Sequence, residues 1–141
     1  MEKILIVDDE QEIAELLEEV LEQLGYKTAM AFSKAQASEV LREFAPRIVL
    51  LDIRLPDGDG ISFLKEIKAN QPAVEVIMIT GLADRDIAIE ALREGAADYI
   101  CKPIDLDYLA NSLLANIVPA TIRTLQHSRN LRGNAYSQHF Y

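Results

Sequence analysis

Ile48-Val49-Leu50-Leu51-Asp52 is a run of four aliphatic residues closed by a carboxylate. A short unbroken aliphatic run suits a strand covered on both faces, as parallel strands are, rather than one that shows alternate residues to water. Ile4 to Val7 has the same character and runs into Asp8-Asp9-Glu10, and Val76 to Ile79 runs into Thr80. Thr28 to Phe32 and Tyr99 to Cys101 are two further strand candidates, lighter in aliphatic bulk or shorter, as edge strands are.

Amphipathic stretches separate these runs. The first is the clearest, with Ile13, Leu16, Leu17, Val20, Leu21 and Leu24 at helical spacing and Glu12, Glu15, Glu18, Glu19 and Glu22 on the opposite face, before Gly25 ends it. Ala37, Val40, Leu41 and Phe44 repeat the pattern before Pro46, as do Ile61, Leu64 and Ile67 before Pro72 and Ile87, Ala91 and Leu92 before Gly95. Leu106, Leu109, Leu113 and Ile117 make a fifth helix that loses definition at Pro119. Five strands and five helices in alternation predict an α/β fold: a flavodoxin-like, doubly wound, five-stranded parallel sheet in the order 2-1-3-4-5. Right-handed crossovers then place the carboxyl end of every strand on one rim.

Composition bounds the rest. The chain of 141 residues suffices for one domain and a short appendage, and its net charge of −9 opposes direct contact with nucleic-acid phosphates. The single Cys101 allows no internal disulfide, and the acidic first ten residues do not resemble a signal peptide, so the expected compartment is the cytoplasm. No apolar run approaches the length of a membrane span. Residues 119–141 carry three Arg and no Asp or Glu, together with Tyr136, Phe140 and Tyr141. The expected division is therefore a domain over 1–118 and a basic, partly aromatic extension or linker stub over 119–141.

Asp8 and Asp9 follow the first strand, Asp52 closes the third, Thr80 the fourth, and Lys102 follows the fifth. In the expected order these groups share a rim, at the topological switch point where such sheets bind ligands. Two carboxylates ~6 Å apart repel by about 3 kcal/mol at an effective dielectric of ~20, so the cluster calls for a cation. Carboxylate oxygens with open positions suit Mg²⁺, while Lys102 and Thr80 offer a positive charge and a hydroxyl to a phosphoryl group. An Asp-Asp pair alone is commonly a helix cap, a strand-end Thr commonly structural and a Lys-Pro commonly a turn. Their coincidence on four strand ends favours a functional site.

These stretches resemble the response-regulator receiver domain of two-component signal transduction. The resemblance rests on Ile4 to Glu10, Leu51-Asp52-Ile53-Arg54-Leu55-Pro56-Asp57-Gly58-Asp59-Gly60, Ile79-Thr80-Gly81, Gly95-Ala96 and Asp98-Tyr99-Ile100-Cys101-Lys102-Pro103, and covers residues 2 to about 118. It implies Asp52 as the phosphoacceptor, Asp8 and Asp9 as the acidic pair around Mg²⁺, and the backbone carbonyl of Arg54 as a further metal ligand. It implies that Thr80 and Lys102 hold phosphoryl oxygens, that Tyr99 turns inward when Thr80 moves, and that Lys102-Pro103 is a candidate cis peptide. Arg54 and Leu82 stand where such domains tune hydrolysis, and bulk there is expected to slow the access of water. The implied partners are a sensor histidine kinase or histidine phosphotransfer protein, docking on the first helix, and an output partner or second copy on the face of helix four, strand five and helix five.

The implied function is a phosphorylation-dependent switch that catalyses only its own phosphorylation and dephosphorylation, alone or as the receiver portion of a longer regulator. A Mg²⁺-dependent phosphohydrolase using an aspartyl phosphate is disfavoured, because such enzymes carry a second Asp where Arg54 stands. A flavin carrier of the same fold would need a phosphate-binding loop in place of Asp8-Asp9-Glu10. A calcium loop over 55–66 fails at its first ligand position, Leu55. That stretch is expected to be a glycine-containing loop. Cys101, His127 and His139 have no partners in the sequence that suggest chemistry.

Overall fold

The computed structural model describes residues 2–117. Five strands, β1 (Lys3–Val7), β2 (Lys27–Ala31), β3 (Ile48–Leu51), β6 (Glu75–Thr80) and β7 (Asp98–Cys101), form one sheet in the order β2-β1-β3-β6-β7. All four pairings are parallel. This is the expected 2-1-3-4-5 arrangement once β4 (Arg54–Leu55) and β5 (Gly58–Asp59), a small antiparallel hairpin, are set aside. The hairpin replaces the loop expected there.

Period-two alternation sends the strand residues into two cores. Leu5, Val7, Val49, Leu51, Val76 and Met78 pack beneath α2 (Lys34–Phe44), α3 (Gly60–Asn70) and α4 (Arg85–Arg93). Ile4, Ile6, Ile48, Leu50, Ile77 and Ile79 pack beneath α1 (Gln11–Gln23) and α5 (Leu106–Ile117). Helices on both faces explain why β1, β3 and β6 are aliphatic through their central positions.

Helix starts follow local chemistry. Ser33 Oγ accepts from Gln36 N at 3.1 Å to cap α2, Asp59 Oδ1 from Ile61 N at 3.0 Å to cap α3, and Asp84 Oδ1 from Asp86 N at 2.9 Å to cap α4. Gly25, at φ +95°, turns the chain out of α1 in a conformation that favours glycine. The apolar stripe of α1 is only partly covered. Its buried residues are Ala14, Leu17 and Leu21, whereas Leu16 and Leu24 are about half exposed, at 51% and 49%. A single helix lying on a sheet covers a narrower stripe than the six positions at helical spacing suggested. The extension over 119–141, with His127 and His139, lies outside the described residues.

Candidate functional site

The site forms where β1 and β3 end side by side. Asp8 N donates to Ala31 O on one flank, and Asp52 N donates to Val7 O on the other, so backbone pairing carries both carboxylates to the same rim. Asp8 is 2% exposed and Asp52 4%. Asp8 Oδ1 accepts from Glu10 N at 2.9 Å, and Asp52 Oδ1 accepts from Arg54 N at 3.2 Å, which fixes each carboxylate against its own loop.

Lys102 arrives from the end of β7, where its backbone N donates a hydrogen bond to Thr80 O at 2.8 Å. Its ammonium lies 2.8 Å from Asp8 Oδ2, 2.9 Å from Glu10 Oε1 and 3.1 Å from Asp52 Oδ2. One positive charge thus faces three carboxylates. Burial works against the charged form of Lys102, but the bonds to Asp8 and Glu10 and the charges of Asp52 and Asp8 outweigh it, and its pKa is raised. For Asp8 burial dominates the hydrogen bonds from Lys102 and Glu10, and its pKa also moves up. The Lys102-Pro103 peptide is cis.

One carboxylate oxygen from each of Asp8, Glu10 and Asp52 lies within 4.8 Å of the other two. Asp9 is exposed and outside that group, and Glu10 is a member that the sequence reading did not single out. A signal was present in the run of three acids. The chain bends at Asp9, with Glu10 N donating to Asp8 Oδ1 across the bend, and both Asp8 and Glu10 reach Lys102. The buried, all-oxygen, anionic pair of Asp8 and Asp52 fits a hard divalent cation such as Mg²⁺.

Thr80 is 1% exposed at the end of β6, and its Oγ1 accepts from Leu82 N at 3.3 Å. Tyr99 points inward, fully buried, and its hydroxyl donates to Leu82 O. Arg54 opens the β4–β5 hairpin with its side chain exposed. Gly60 closes the site from beneath. A Cβ there would stand 2.3 Å from Asp52 O and 2.5 Å from Ile53 Cα, so only glycine lets α3 begin this close to the backbone of Asp52.

A doubly wound parallel sheet with a carboxylate and lysine cluster at its switch point defines a domain of the receiver class. The sequence profile described as the response regulator receiver domain matches residues 4–114, and the chain belongs to that family. It is 44% identical over 110 residues to the transcriptional regulatory protein ZraR of Escherichia coli K12, covering 78% of this chain and 25% of that protein. The chain therefore spans about a quarter of the length of that regulator. It is 38% identical over 112 residues to sporulation initiation phosphotransferase F of Bacillus subtilis 168, covering 79% of this chain and 90% of that protein. Among solved structures, the receiver domain of NtrX from Brucella abortus superposes with a TM-score of 0.77 at 38% identity, over 81% of this chain and 97% of that one. A two-component response regulator from Clostridium difficile gives a TM-score of 0.80 at 26% identity, over 83% and 96%. The matched residues are a receiver domain of two-component response regulators, a signalling domain. Among the described residues no helix is long and apolar enough to cross a membrane.

Proposed function

We propose that the domain is a phosphorylation-dependent switch whose phosphoacceptor is Asp52. The observation that carries this reading is the buried Asp52 carboxylate held by Arg54 N on one oxygen and by Lys102 on the other, beside the oxygens of Asp8 and Glu10. In the proposed reaction an Asp52 oxygen attacks phosphorus in line. A new P–O bond forms as the donor's P–N or P–O bond breaks, and the leaving group departs as imidazole, after gaining a proton, or as a carboxylate. Lys102 supplies fixed positive charge to the transferring oxygens, and Thr80 a hydroxyl to the same group. Asp8, Asp9, Asp52 and the Arg54 carbonyl are the candidate holders of Mg²⁺, which when bound would supply charge neutralisation for the phosphoryl group. Hydrolysis of the acyl phosphate restores Asp52, with Arg54 and Leu82 placed to limit the access of water.

In this reading the phosphodonor is a phosphohistidine of a sensor kinase or phosphotransfer protein, docking beside α1, where Leu16 is exposed among glutamates. Output passes through the face of α4, β7 and α5, to a partner or a second copy. The exposed Ile89, Leu106 and Leu114 belong to those helices. A cytoplasmic place and a receiver ending near residue 118, with 119–141 as an extension, go with this reading, and the family match ending at residue 114 supports that boundary. The test is intact mass after incubation with a small acyl phosphate and Mg²⁺. One phosphoryl group added to the wild type and none to Asp52→Asn is expected, and labelling of both variants or of neither, where a control receiver is labelled, overturns the assignment.

A further inference from the structure

Glu10 occupies the N-cap position of α1, yet its side chain makes no capping bond to the helix. The carboxylate turns instead across the rim to Lys102, 92 residues away, at 2.9 Å. Of the three carboxylates around that ammonium it alone faces water, with its side chain 59% exposed against 3% for Asp8 and 6% for Asp52. Lys102 itself is only 13% exposed, so Glu10 covers the solvent side of the one cation in the cluster.

We propose that Glu10 is a stand-in anion: it holds Lys102 until a phosphoryl group arrives and, by its charge at the mouth, slows the approach of anionic donors. This role rests on the phosphoacceptor reading of Asp52 and makes a residue outside that reading a determinant of donor specificity. Asp8 and Asp52 are fixed by backbone amides on their other oxygens, so they keep their places beside Lys102 when a ligand approaches. The Glu10 carboxylate has no such backbone hold among the described residues. An arriving phosphoryl oxygen therefore replaces Glu10 on Lys102, and the exposed carboxylate moves into water at little cost. No covalent bond to Glu10 forms or breaks, and Lys102 exchanges one oxygen anion for another. Glu10 is thus a positioning residue, and its influence scales with the negative charge of the donor.

The experiment compares wild type, Glu10→Gln and Glu10→Asp by the rate of phosphoryl gain in intact mass. The donors, used at neutral pH, are a small acyl phosphate, a dianion there, and phosphoramidate, which is protonated on nitrogen there and carries less net charge, each across a series of salt and Mg²⁺ concentrations. Removing one charge a few ångströms from a dianion raises the acyl phosphate rate of Glu10→Gln by about three- to tenfold at low salt. The gain is smaller with phosphoramidate and shrinks as salt is added. Glu10→Asp keeps the charge but is too short for the same contact, and stays within about twofold of wild type if charge at the mouth is what matters. A Glu10→Gln variant that is no faster, or a gain that ignores donor charge and salt, overturns the proposal. So does a slower variant that needs more Mg²⁺, which would make Glu10 a metal ligand. A wild type that takes no phosphoryl group from either donor overturns the Asp52 assignment as well, whereas a labelled wild type with an indifferent Glu10→Gln overturns the gate alone.

Discussion

Tyr99 Oη donates to the carbonyl oxygen of Leu82, so a fully buried ring on β7 holds the loop that leaves β6. Leu82 N in turn donates to Thr80 Oγ1 at 3.3 Å. The aromatic ring and the threonine hydroxyl thereby grip the same residue, and a change at one is felt at the other through two hydrogen bonds. Tyr99→Phe keeps the packing and removes one of them. The expected cost is about 1 kcal/mol by denaturant unfolding, with faster amide exchange confined to residues 81–84.

Gly60 lies where any side chain would strike the backbone of Asp52 and Ile53. Backbone cannot swing aside as a flexible side chain does, so Gly60→Ala is expected to destabilise by about 1–3 kcal/mol and to slow phosphorylation by displacing Asp52. Gly81, next to Thr80, faces open space, with nothing within 4 Å of where a Cβ would stand. Gly81→Ala is the control, expected within about 0.5 kcal/mol of wild type.

Asp57 caps α2 from the β4–β5 turn, accepting from Lys34 N at 2.7 Å and Ala35 N at 2.9 Å. The amides of Ala35 and Lys34 hold its pKa below the ordinary carboxylate value. A depressed folded pKa means stability that is present above the unfolded value, near 4, and lost as pH falls through the lower folded value. Asp57→Ala is therefore expected to lower Tm at neutral pH, and the gap to wild type should close as the pH is taken below about 4. A gap that stays constant into acid would show that the ionised carboxylate is not the source.

Asp98 is 7% exposed and accepts from Tyr99 N, Tyr108 Oη and Ser112 Oγ, each at 2.8 Å. Burial first, then the charge of Asp98 and the bond to it, raise the Tyr108 pKa, and burial does the same for Tyr99. A raised folded pKa gives stability that is complete below the unfolded value, near 10, and lost as pH rises through the folded one. Ultraviolet titration should show Tyr99 and Tyr108 ionising above pH 10 in the folded protein and near 10 in urea. Tyr108→Phe should remove one late-titrating phenol and cost about 1.5–3 kcal/mol, since the bond it loses is to a charged group.

Much of this was legible in the chain. The aliphatic runs at Ile4, Ile48 and Val76 marked central strands, the lighter runs marked edges, and Asp8, Asp52, Thr80 and Lys102 stood at strand ends. The hairpin over 54–59 was not legible, because two strands of two residues each are too short to show alternation. That Leu16 and Leu24 stay half exposed was not legible either, because spacing marks a face of a helix and not how far the layer beneath it reaches.

The sequence by itself determined the class of fold, the order of the sheet and the strand ends from which the site is assembled, because periodicity and strand-end chemistry are local properties. Only the tertiary structure decided that Asp8 and Glu10, and not Asp9 between them, meet Lys102, that Asp57 caps a helix 22 residues back, and that Asp98 is shared between β7 and α5. Each of those pairings depends on how separate elements lie side by side. Lys102 and Glu10 meet across 92 residues because β1 and β7 deliver their ends to the same rim, and no spacing within either segment carries that information.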